Sequence, residues 1–438
     1  MLNYIWLGLV LLAVVIGGLN DRLKEVSDGA FEAAKTAVMS IALPLIGLTA
    51  LWLGVMRLAE KSGMIQSLAR WLLPALRRLF PDVPENHPAM GSMLMNIAAN
   101  MIGLTNAATP LGLRAMTDLE RLNARPGTAT NAMCTFLAIN TSSVQLLPTT
   151  AISIMAAAGS ANPTAIVATT LLATCCAVTT AIVSVKILER LPVFRLPPAT
   201  AGPSPAQEPG ARPPEAAPPQ AAPAKASAWL APALVLLAGL FIYLFVRALG
   251  QPTGTPAGSG PFLRIMGAIS LLAIPFFLVF FPLYAALRGV RVYEEFVEGA
   301  KEGFQVAVRI IPFLVAMLVA VGMFRGAGGV DLAAKALKPV LEWVQFPPEL
   351  LPMAFTRPLS GSATIGLFAD LVKTYGPDSL VARMGGTLLG STETTLYVVA
   401  VYFGAVAVKR ARHAVAAGLL ADLAGIIASV IICRLVFG

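Results

Sequence analysis

The sequence is poor in charged residues. Only 13% of its 438 residues are charged, whereas 57% are hydrophobic, and the mean hydropathy is +0.75. Soluble domains carry about 25% charged residues, so a water-soluble fold of this composition could not cover its surface with polar groups. The composition therefore excludes the soluble class and predicts a membrane protein.

The sequence also has few of the side chains and motifs that are common in catalytic sites. There are two histidines, His87 and His413, and four cysteines without a CxxC pair. These counts exclude HExxH zinc chemistry and most histidine catalysis, and no GxSxG, Walker or Rossmann motif occurs. We predict that the protein is not an enzyme and holds no resident cofactor; H⁺ or Na⁺ remain candidate coupling ions. An intramembrane enzyme is the least favoured alternative.

Long uncharged runs are present instead, such as 4–19 and 423–433. About 20 apolar residues cross a hydrocarbon core as a helix, whereas membrane-spanning strands alternate in short blocks. These runs are continuous, so we predict an all-α polytopic membrane protein in the lipid bilayer. The run at 4–19 is expected to be a retained first helix, because it lacks the basic start and the cleavage site of a signal peptide.

The net charge is +9, from 32 basic and 23 acidic residues. Cytoplasmic loops of membrane proteins carry an excess of Lys and Arg, which accounts for this value. No basic run is interleaved with aromatic residues, as nucleic-acid grooves require, so we predict no nucleic-acid partner.

A proline-rich segment divides the chain. Ten prolines lie between Leu196 and Ala228, a composition that favours extended, solvated polyproline II structure. We predict a linker at 196–228, and we favour a spacer over a docking ligand. The other predicted units are a first half at 1–195, two extra transmembrane helices at 229–290 and a second half at 291–438.

The two halves show the same order of features. Each has a long apolar helix, expected to open at Gly29 and at Gly299, then a basic amphipathic segment, two polar stretches and a closing apolar helix. Basic residues follow the first closing helix at 186–195 but precede the second at 409–412. If basic flanks lie in the cytoplasm, equivalent helices run in opposite directions. We predict two inverted repeats with interrupted or re-entrant helices, an architecture of secondary transporters.

The polar stretch of the first half contains Asn96 and Asn100 at helical spacing, followed by Gly103. Asn106, Thr109 and Pro110 come next, with Pro110 expected to end the helix. An unpaired amide in hydrocarbon costs several kcal/mol, so these residues either line a cavity at a broken helix or bond neighbouring helices. We favour the cavity.

Polar residues of the second half are the counterpart. Arg357 precedes a proline and can either hold a carboxylate or phosphate or extend to the interface. Glu393 lies between apolar segments, where it could bind a coupling cation, carry a proton or pair with Arg357. For Asp422, which interrupts the last helix, pairing with a basic residue is as plausible as transport. The predicted solute-binding residues are Asn96, Asn100, Asn106, Thr109, Asn140, Ser142, Arg357, Ser360, Ser362, Ser391, Thr392, Glu393 and Thr394.

These motifs carry a family resemblance. The stretch 96–113 resembles the signature of the spore maturation A family, and 357–362, 375–379 and 390–395 resemble the spore maturation B family. Both families belong to the nucleoside-recognition "gate" group, which is similar to parts of concentrative nucleoside transporters. The resemblance implies a multi-pass protein of the bacterial inner membrane with a transport-like core, in which two otherwise separate proteins are fused. It does not fix a solute.

We therefore predict a secondary transporter or channel-like protein for a small polar solute, nucleoside-like or a small anion. The site would lie at the interface of the two repeats. The alternative is a non-transporting membrane scaffold or assembly factor that acts with partner proteins. Assembly as a homo-oligomer is a further expectation.

Overall fold

A computed structural model describes residues 2–84, 86–103, 105–142, 145–194, 227–250, 260–329, 332 and 345–438. Side chains are left undescribed at 2–5, 40, 105–107, 306, 307, 309, 310 and 313. Most of the predicted linker, and the side chain of Asn106, therefore lie outside the described part of the protein.

Helices make up the fold, and in the described residues no strand occurs beyond an isolated bridge between Thr128 and Arg410. The helices are α1 (Leu2–Leu19), α2 (Leu23–Thr36), α3 (Leu43–Lys61), α4 (Met64–Leu79), α5 (Pro88–Ile102), α6 (Thr105–Arg121), α7 (Asn131–Ser142), α8 (Thr149–Ala157), α9 (Ile166–Leu188), α10 (Leu230–Gly250), α11 (Pro261–Leu287), α12 (Val292–Gly326), α13 (Leu351–Thr356), α14 (Gly361–Tyr375), α15 (Leu380–Ser391), α16 (Thr395–Ala405) and α17 (Ala414–Phe437). A π-helical segment, Ala37–Ala42, joins α2 to α3.

Five helices in the described residues are long and apolar enough to cross a membrane: Leu23–Lys61, which runs through α2 and α3, and Ile166–Leu188, Leu230–Gly250, Pro261–Leu287 and Ala414–Phe437. Large hydrophobic side chains also remain exposed along α1, α10 and α11, as expected of surfaces that face lipid. The predicted all-α polytopic membrane fold is confirmed.

The opening helices begin earlier than expected. They start at Leu23 and Val292 rather than at Gly29 and Gly299, and both glycines lie inside helices. A Cβ at Gly29 would stand 2.6 Å from the carbonyl oxygen of Gly322, and one at Gly299 would stand 2.5 Å from that of Leu53. These glycines therefore allow close helix packing instead of starting the helices.

A break after α5 interrupts the first half. Gly103 has φ +89°, the left-handed conformation that ends many helices and that glycine adopts without strain. The prediction that Pro110 ends the helix is wrong, since Pro110 lies inside α6. Surrounding protein can offset the one backbone donor that a proline removes. A second break follows Ser142 and ends at the start of α8.

The helices of the second half are interrupted at two places that correspond to the two breaks of the first half. The segment between α13 and α14 covers Arg357 to Ser360, and Ser360 caps α14 by accepting the N–H of Ala363 at 3.2 Å. The segment between α15 and α16 covers Thr392 to Thr394. The polar stretches identified in the sequence thus fall at or beside interrupted helices.

A backbone hydrogen bond joins the two breaks within each half. In the first half, the N–H of Leu146 donates to the carbonyl of Met101 at 3.0 Å. In the second half, the N–H of Leu396 donates to the carbonyl of Pro358 at 2.9 Å. Corresponding breaks are therefore held together in the same way.

Contacts between the halves are reciprocal. Helix α7 packs on α17 while its counterpart α15 packs on α9, and α6 packs on α16 while α14 packs on α8. The equivalent helices α3 and α12 run antiparallel, because Gly299 lies against Gly54 and Gly303 against Ala50. An inverted repeat would produce these reciprocal contacts and this antiparallel pair. The inverted repeat itself stays a prediction.

Connecting loops also tie the halves together. Ser160, between α8 and α9, donates its hydroxyl to Asp378 at 2.7 Å, and the N–H of Ala161 donates to the same carboxylate at 2.9 Å. Burial opposes ionisation of Asp378, but these hydrogen bonds and the positive charge of Arg383 outweigh it and lower the pKa of this carboxyl. The link between the loops therefore holds an ionised Asp378 at neutral pH.

Candidate functional site

A cluster of neutral polar side chains, here called the amide cluster, joins the first break to α7 and α16. Asn100 donates its Nδ2 to Oδ1 of Asn140 at 3.0 Å, and the hydroxyl of Tyr402 donates to the same oxygen at 3.4 Å. Asn96 donates its Nδ2 to the carbonyl of Ala108 at 2.7 Å and to Tyr402 at 3.3 Å. The amide cluster spans both halves and bonds largely to itself.

Close packing around Gly112 accommodates the tyrosine of this cluster. A Cβ at Gly112 would stand 2.2 Å from the hydroxyl oxygen of Tyr402 and 2.9 Å from Nδ2 of Asn96. Only a residue without a side chain leaves room for the tyrosine ring there.

Charged residues gather at the breaks of the second half. Nη2 of Arg357 lies 4.0 Å from Oε2 of Glu393, and Oε1 of Glu393 accepts Nε2 of Gln145 at 3.0 Å. The Arg357 side chain is 5% exposed, whereas that of Glu393 is 32% exposed. The guanidinium is therefore enclosed, while the carboxylate reaches solvent.

The backbone positions Glu393 against the first half. Its N–H donates to the carbonyl of Thr141, the residue before the end of α7, at 2.8 Å. Gly418 lets Thr141 and Thr395 pack close together, since a Cβ at this position would stand 2.7 Å from Thr395 and 3.2 Å from the hydroxyl of Thr141. The unwound segment before α16 thus rests on the end of α7.

Several buried polar atoms here have no hydrogen-bond partner in the described residues. They are Nε of Arg357, the hydroxyls of Thr392 and Thr394, Oδ1 of Asp422 and Oδ1 of Asn96. A buried polar group without a partner costs about 1–3 kcal/mol, so such atoms mark places where a solute, water or proton would bind.

A cavity of about 550 Å³ lies beside the charged pair. It is lined by both halves: Gln145, Pro148, Thr150, Ala151, Arg357, Leu359, Ser360, Gly361, Ser362, Ile365, Leu389, Gly390, Glu393, Thr394 and Tyr397. Its volume is typical of small-molecule sites, which measure about 300–1,000 Å³. Opposite charges, amide and hydroxyl groups in one cavity suit a polar solute better than an apolar one.

The predicted site residues fall into three groups. Arg357, Ser360, Ser362, Glu393 and Thr394 line the cavity. Asn96, Asn100 and Asn140 form the amide cluster. Ser142, Ser391 and Thr392 are buried at helix ends, and Thr109 lies partly buried in α6. The structure thus does not bring Asn96 and Asn100 into one cavity with Arg357 and Glu393.

Sequence reasoning missed Gln145 as a cavity residue and Tyr402 as the centre of the amide cluster. Gln145 lies next to the predicted polar stretch, and its position in a break was a usable signal. Tyr402 follows an apolar run in α16, and no local pattern distinguishes it from an ordinary buried aromatic residue. Asp422, for which pairing with a basic residue and a role in transport were both left open, accepts the hydroxyl of Thr395 at 2.6 Å.

A metal site does not emerge from the described side chains, among which no group of three or more His, Cys, Asp or Glu residues is close enough to hold an ion.

Comparison with known proteins agrees with the family resemblance. Residues 42–188 and 307–409, more than half of the chain, match the family model "Gate: Nucleoside recognition". The chain is 47% identical to spore maturation protein B of Bacillus subtilis (strain 168) over 176 residues, 40% of this chain and 99% of that protein. It is 43% identical to spore maturation protein A of the same organism over 167 residues, 38% of this chain and 85% of that protein. No solved structure matches it significantly.

The fold and the site define a multi-pass α-helical membrane protein with broken helices around a polar cavity. The chain belongs to the nucleoside-recognition gate family, as the motifs predict. The division into an A-like first half and a B-like second half stays a prediction.

Proposed function

We propose that this protein is a secondary transporter or channel of the bacterial inner membrane that moves a small polar solute through the cavity between its halves. The observation that carries the proposal is the buried Arg357 guanidinium at the wall of a cavity built by both halves. Nucleoside-like solutes and small anions are the candidate classes, and the family description favours the first.

The electrostatics of the cavity support a polar solute. Arg357 and Glu393 carry opposite charges and are 4.0 Å apart, which is longer than a hydrogen bond, so each can also bind a group of the solute. An anionic group would bind the guanidinium in a bidentate fork, whereas hydroxyls would bind Glu393 and Gln145. Tyr397, exposed at the rim, offers an aromatic face to a planar base.

Broken helices support movement of the solute. In secondary transporters, solute and ion sites lie where discontinuous helices of two repeats meet. Here the segment 357–360 and the segment 392–394 both lie between helices and border the cavity. No catalytic constellation supports an enzyme, so we propose transport without chemistry, with H⁺ or Na⁺ as the coupling ion.

A scaffold or assembly factor is the second candidate. The amide cluster favours it, because its members bond to one another as purely structural polar contacts do. The names of the two relatives refer to spore maturation and to no solute. A stable protein partner that co-purifies from the native membrane, together with absent solute flux, would favour this candidate.

The test is uptake by proteoliposomes that contain the full-length protein. Labelled purine and pyrimidine nucleosides, small carboxylates and inorganic phosphate are offered under an inward gradient of H⁺ or Na⁺. We expect uptake of at least one class above empty liposomes. Glu393→Gln should lower it about tenfold to hundredfold, since hydrogen bonds to charged groups contribute about 1.5–3 kcal/mol.

The matched control is Glu295→Gln. Glu295 is also partly buried, at 26% exposure, and also pairs with an arginine, Arg57 at 2.8 Å, but it lies outside the cavity lining. Its replacement should leave uptake unchanged. Absence of uptake for every solute class, or equal uptake by Glu393→Gln and wild type, would contradict the proposal.

A further inference from the structure

A second concavity lies on the other side of the segment 357–360. It is a groove of about 370 Å³, lined by apolar side chains of α13 and α17 and by Pro358. Arg357 and Leu359, the neighbours of this proline, line the polar cavity instead. One unwound segment therefore separates a polar cavity from an apolar groove.

Asp422 is the one acidic residue among the described residues that line this groove. It is 1% exposed, and its Oδ2 accepts the hydroxyl of Thr395 at 2.6 Å. Its other oxygen, Oδ1, is buried and has no hydrogen-bond partner within the described structure. An ionised carboxylate in such a place is costly unless a positive charge or a proton neutralises it.

One positive charge, that of Arg357, lies near the two acidic residues Asp422 and Glu393. Asp422 is bonded to Thr395, two residues after Glu393, and shares its groove with Pro358, the residue after Arg357, so that within the described structure these two charged groups act on it. Helices α9 and α15, which also pack on α17, contribute no charged group to this set. Two carboxylates and one guanidinium leave a net charge of −1 in an enclosed region if both acids are ionised.

We propose that Asp422 is a proton-binding site: it shares the Arg357 guanidinium with Glu393, and the three residues together hold one proton. Glu393 is 32% exposed and accepts a hydrogen bond from Gln145, so it is the better solvated of the two acids. Asp422 takes the proton on its unpartnered Oδ1, at the floor of an apolar groove.

A proton fits this site better than a metal ion. Sodium or a divalent cation needs several oxygen ligands around one point. Within the described structure, the one hydrogen bond to the Asp422 side chain comes from the hydroxyl of Thr395, which is therefore already engaged as a donor. The groove lining otherwise consists of apolar side chains within the described residues.

The arrangement links the proton to the cavity. When Asp422 is protonated, Arg357 is paired with Glu393 alone; when Asp422 is ionised, both acids compete for the guanidinium. A solute anion that binds Arg357 would therefore favour protonation of Asp422, and by linkage a proton would favour binding of the anion. This consequence rests on the proposed transport function, whereas proton binding by Asp422 does not.

The test is pH-dependent infrared difference spectroscopy of the full-length protein in lipid nanodiscs, without solute. We expect the carbonyl stretch of a protonated, buried carboxylic acid in the wild type and its loss in Asp422→Asn. Asp118→Asn is the matched control, because Asp118 is also buried but is bonded to Ser92 at 2.8 Å and paired with Arg121 at 3.1 Å. It should leave the signal unchanged.

Two further variants keep the proposal testable if Asp422→Asn does not fold. Glu393→Gln removes a like charge and should shift the titration of the signal to lower pH by about one unit. Thr395→Val removes a donor to the ionised form and should shift it to higher pH by about one unit. Loss of the signal in Glu393→Gln, or a signal that none of these variants changes, would overturn the proposal.

The two proposals fail separately. Absent solute uptake with an Asp422 signal that behaves as described would contradict transport and leave the proton site standing. Uptake that depends on Glu393, together with no protonated acid that Asp422→Asn removes, would overturn the proton site and leave transport standing.

Discussion

The breaks of the first half and those of the second half share one backbone design and differ in chemistry. In each half an N–H in or just after the second break donates to a carbonyl in or just before the first, from Leu146 to Met101 and from Leu396 to Pro358. The first half fills its break with the neutral amide cluster, which has no cavity of its own among those described. The second half places Arg357 and Glu393 at its breaks and borders the 550 Å³ cavity.

This difference follows from what each group needs. Neutral amides donate and accept, so a few of them can satisfy one another inside a helix bundle. A guanidinium and a carboxylate need full neutralisation and several hydrogen bonds, and when these are incomplete the residues remain available to a ligand. We therefore propose a structural role for the amide cluster and a binding role for the charged cavity, and the following predictions test that division.

The largest effect is expected for Arg357→Gln. Arg357 is the one positive charge among the described cavity-lining residues, and its loss should lower solute uptake about 100-fold or more, as expected of a buried charged contact that contributes about 3 kcal/mol. The measurement is uptake by proteoliposomes. Arg57→Gln is the control, since Arg57 pairs with Glu295 and Glu302 away from the cavity. Similar losses of uptake in both variants would contradict a specific role of Arg357 in the cavity.

Gly112→Ala should give the next largest effect, on stability. The added methyl group would stand 2.2 Å from the hydroxyl oxygen of Tyr402, and overpacking of this kind costs about 1–3 kcal/mol of unfolding free energy. Denaturation in detergent micelles measures it. Gly91→Ala in α5 is the control, because nothing lies within 4 Å of its Cβ position, and it should be neutral or stabilising. Equal results for the two would contradict the packing argument.

Asn100→Ala should act on stability alone. It removes the 3.0 Å hydrogen bond to Asn140, and we expect a loss of about 1 kcal/mol with unchanged solute uptake. Tyr402→Phe removes two longer bonds, 3.4 Å to the same oxygen and 3.3 Å from Asn96, and should cost a similar amount. A fall in uptake comparable to that of Arg357→Gln would place the amide cluster in the solute pathway. It would contradict the division between a structural amide cluster and a binding cavity.

The smallest effects come from two helix caps. Ser360 and Ser379 each accept an N–H three residues ahead at 3.2 Å, and each Ser→Ala change should cost about 1 kcal/mol of stability. Ser360 also lines the cavity, whereas Ser379 does not, so only Ser360→Ala should change solute affinity, by less than about tenfold. Equal affinities in the two variants would exclude Ser360 from the binding site.

Much of the fold was predictable from hydropathy and polar interruptions. Continuous apolar runs lead to helices because lipid offers no partner for backbone groups. This reasoning predicted two helices within 229–290, where α10 and α11 lie, and a closing apolar helix in each half, seen as α9 and α17. The ends of broken helices were harder to predict. Pro110 was expected to end a helix, yet Gly103 does so, because the local choice depends on what surrounds the chain.

The candidate site was predictable only as a set of residue types. The sequence indicated Glu393 and Arg357 as costly charges in an apolar setting, and their pairing was among the alternatives considered. It grouped Asn96 and Asn100 with them, although the structure assigns these asparagines to a separate cluster around Tyr402. Such an assignment depends on side chains more than 250 residues apart, to which no spacing rule applies.

Composition and motifs by themselves determined the membrane class, the helical fold and the gate family, because these depend on hydrophobic content and on short contiguous patterns. Tertiary structure alone decided which polar groups satisfy one another and which stay open to a ligand. The reason is physical: a buried polar group is defined by the partners that packing brings within about 3 Å, and those partners come from distant parts of the chain.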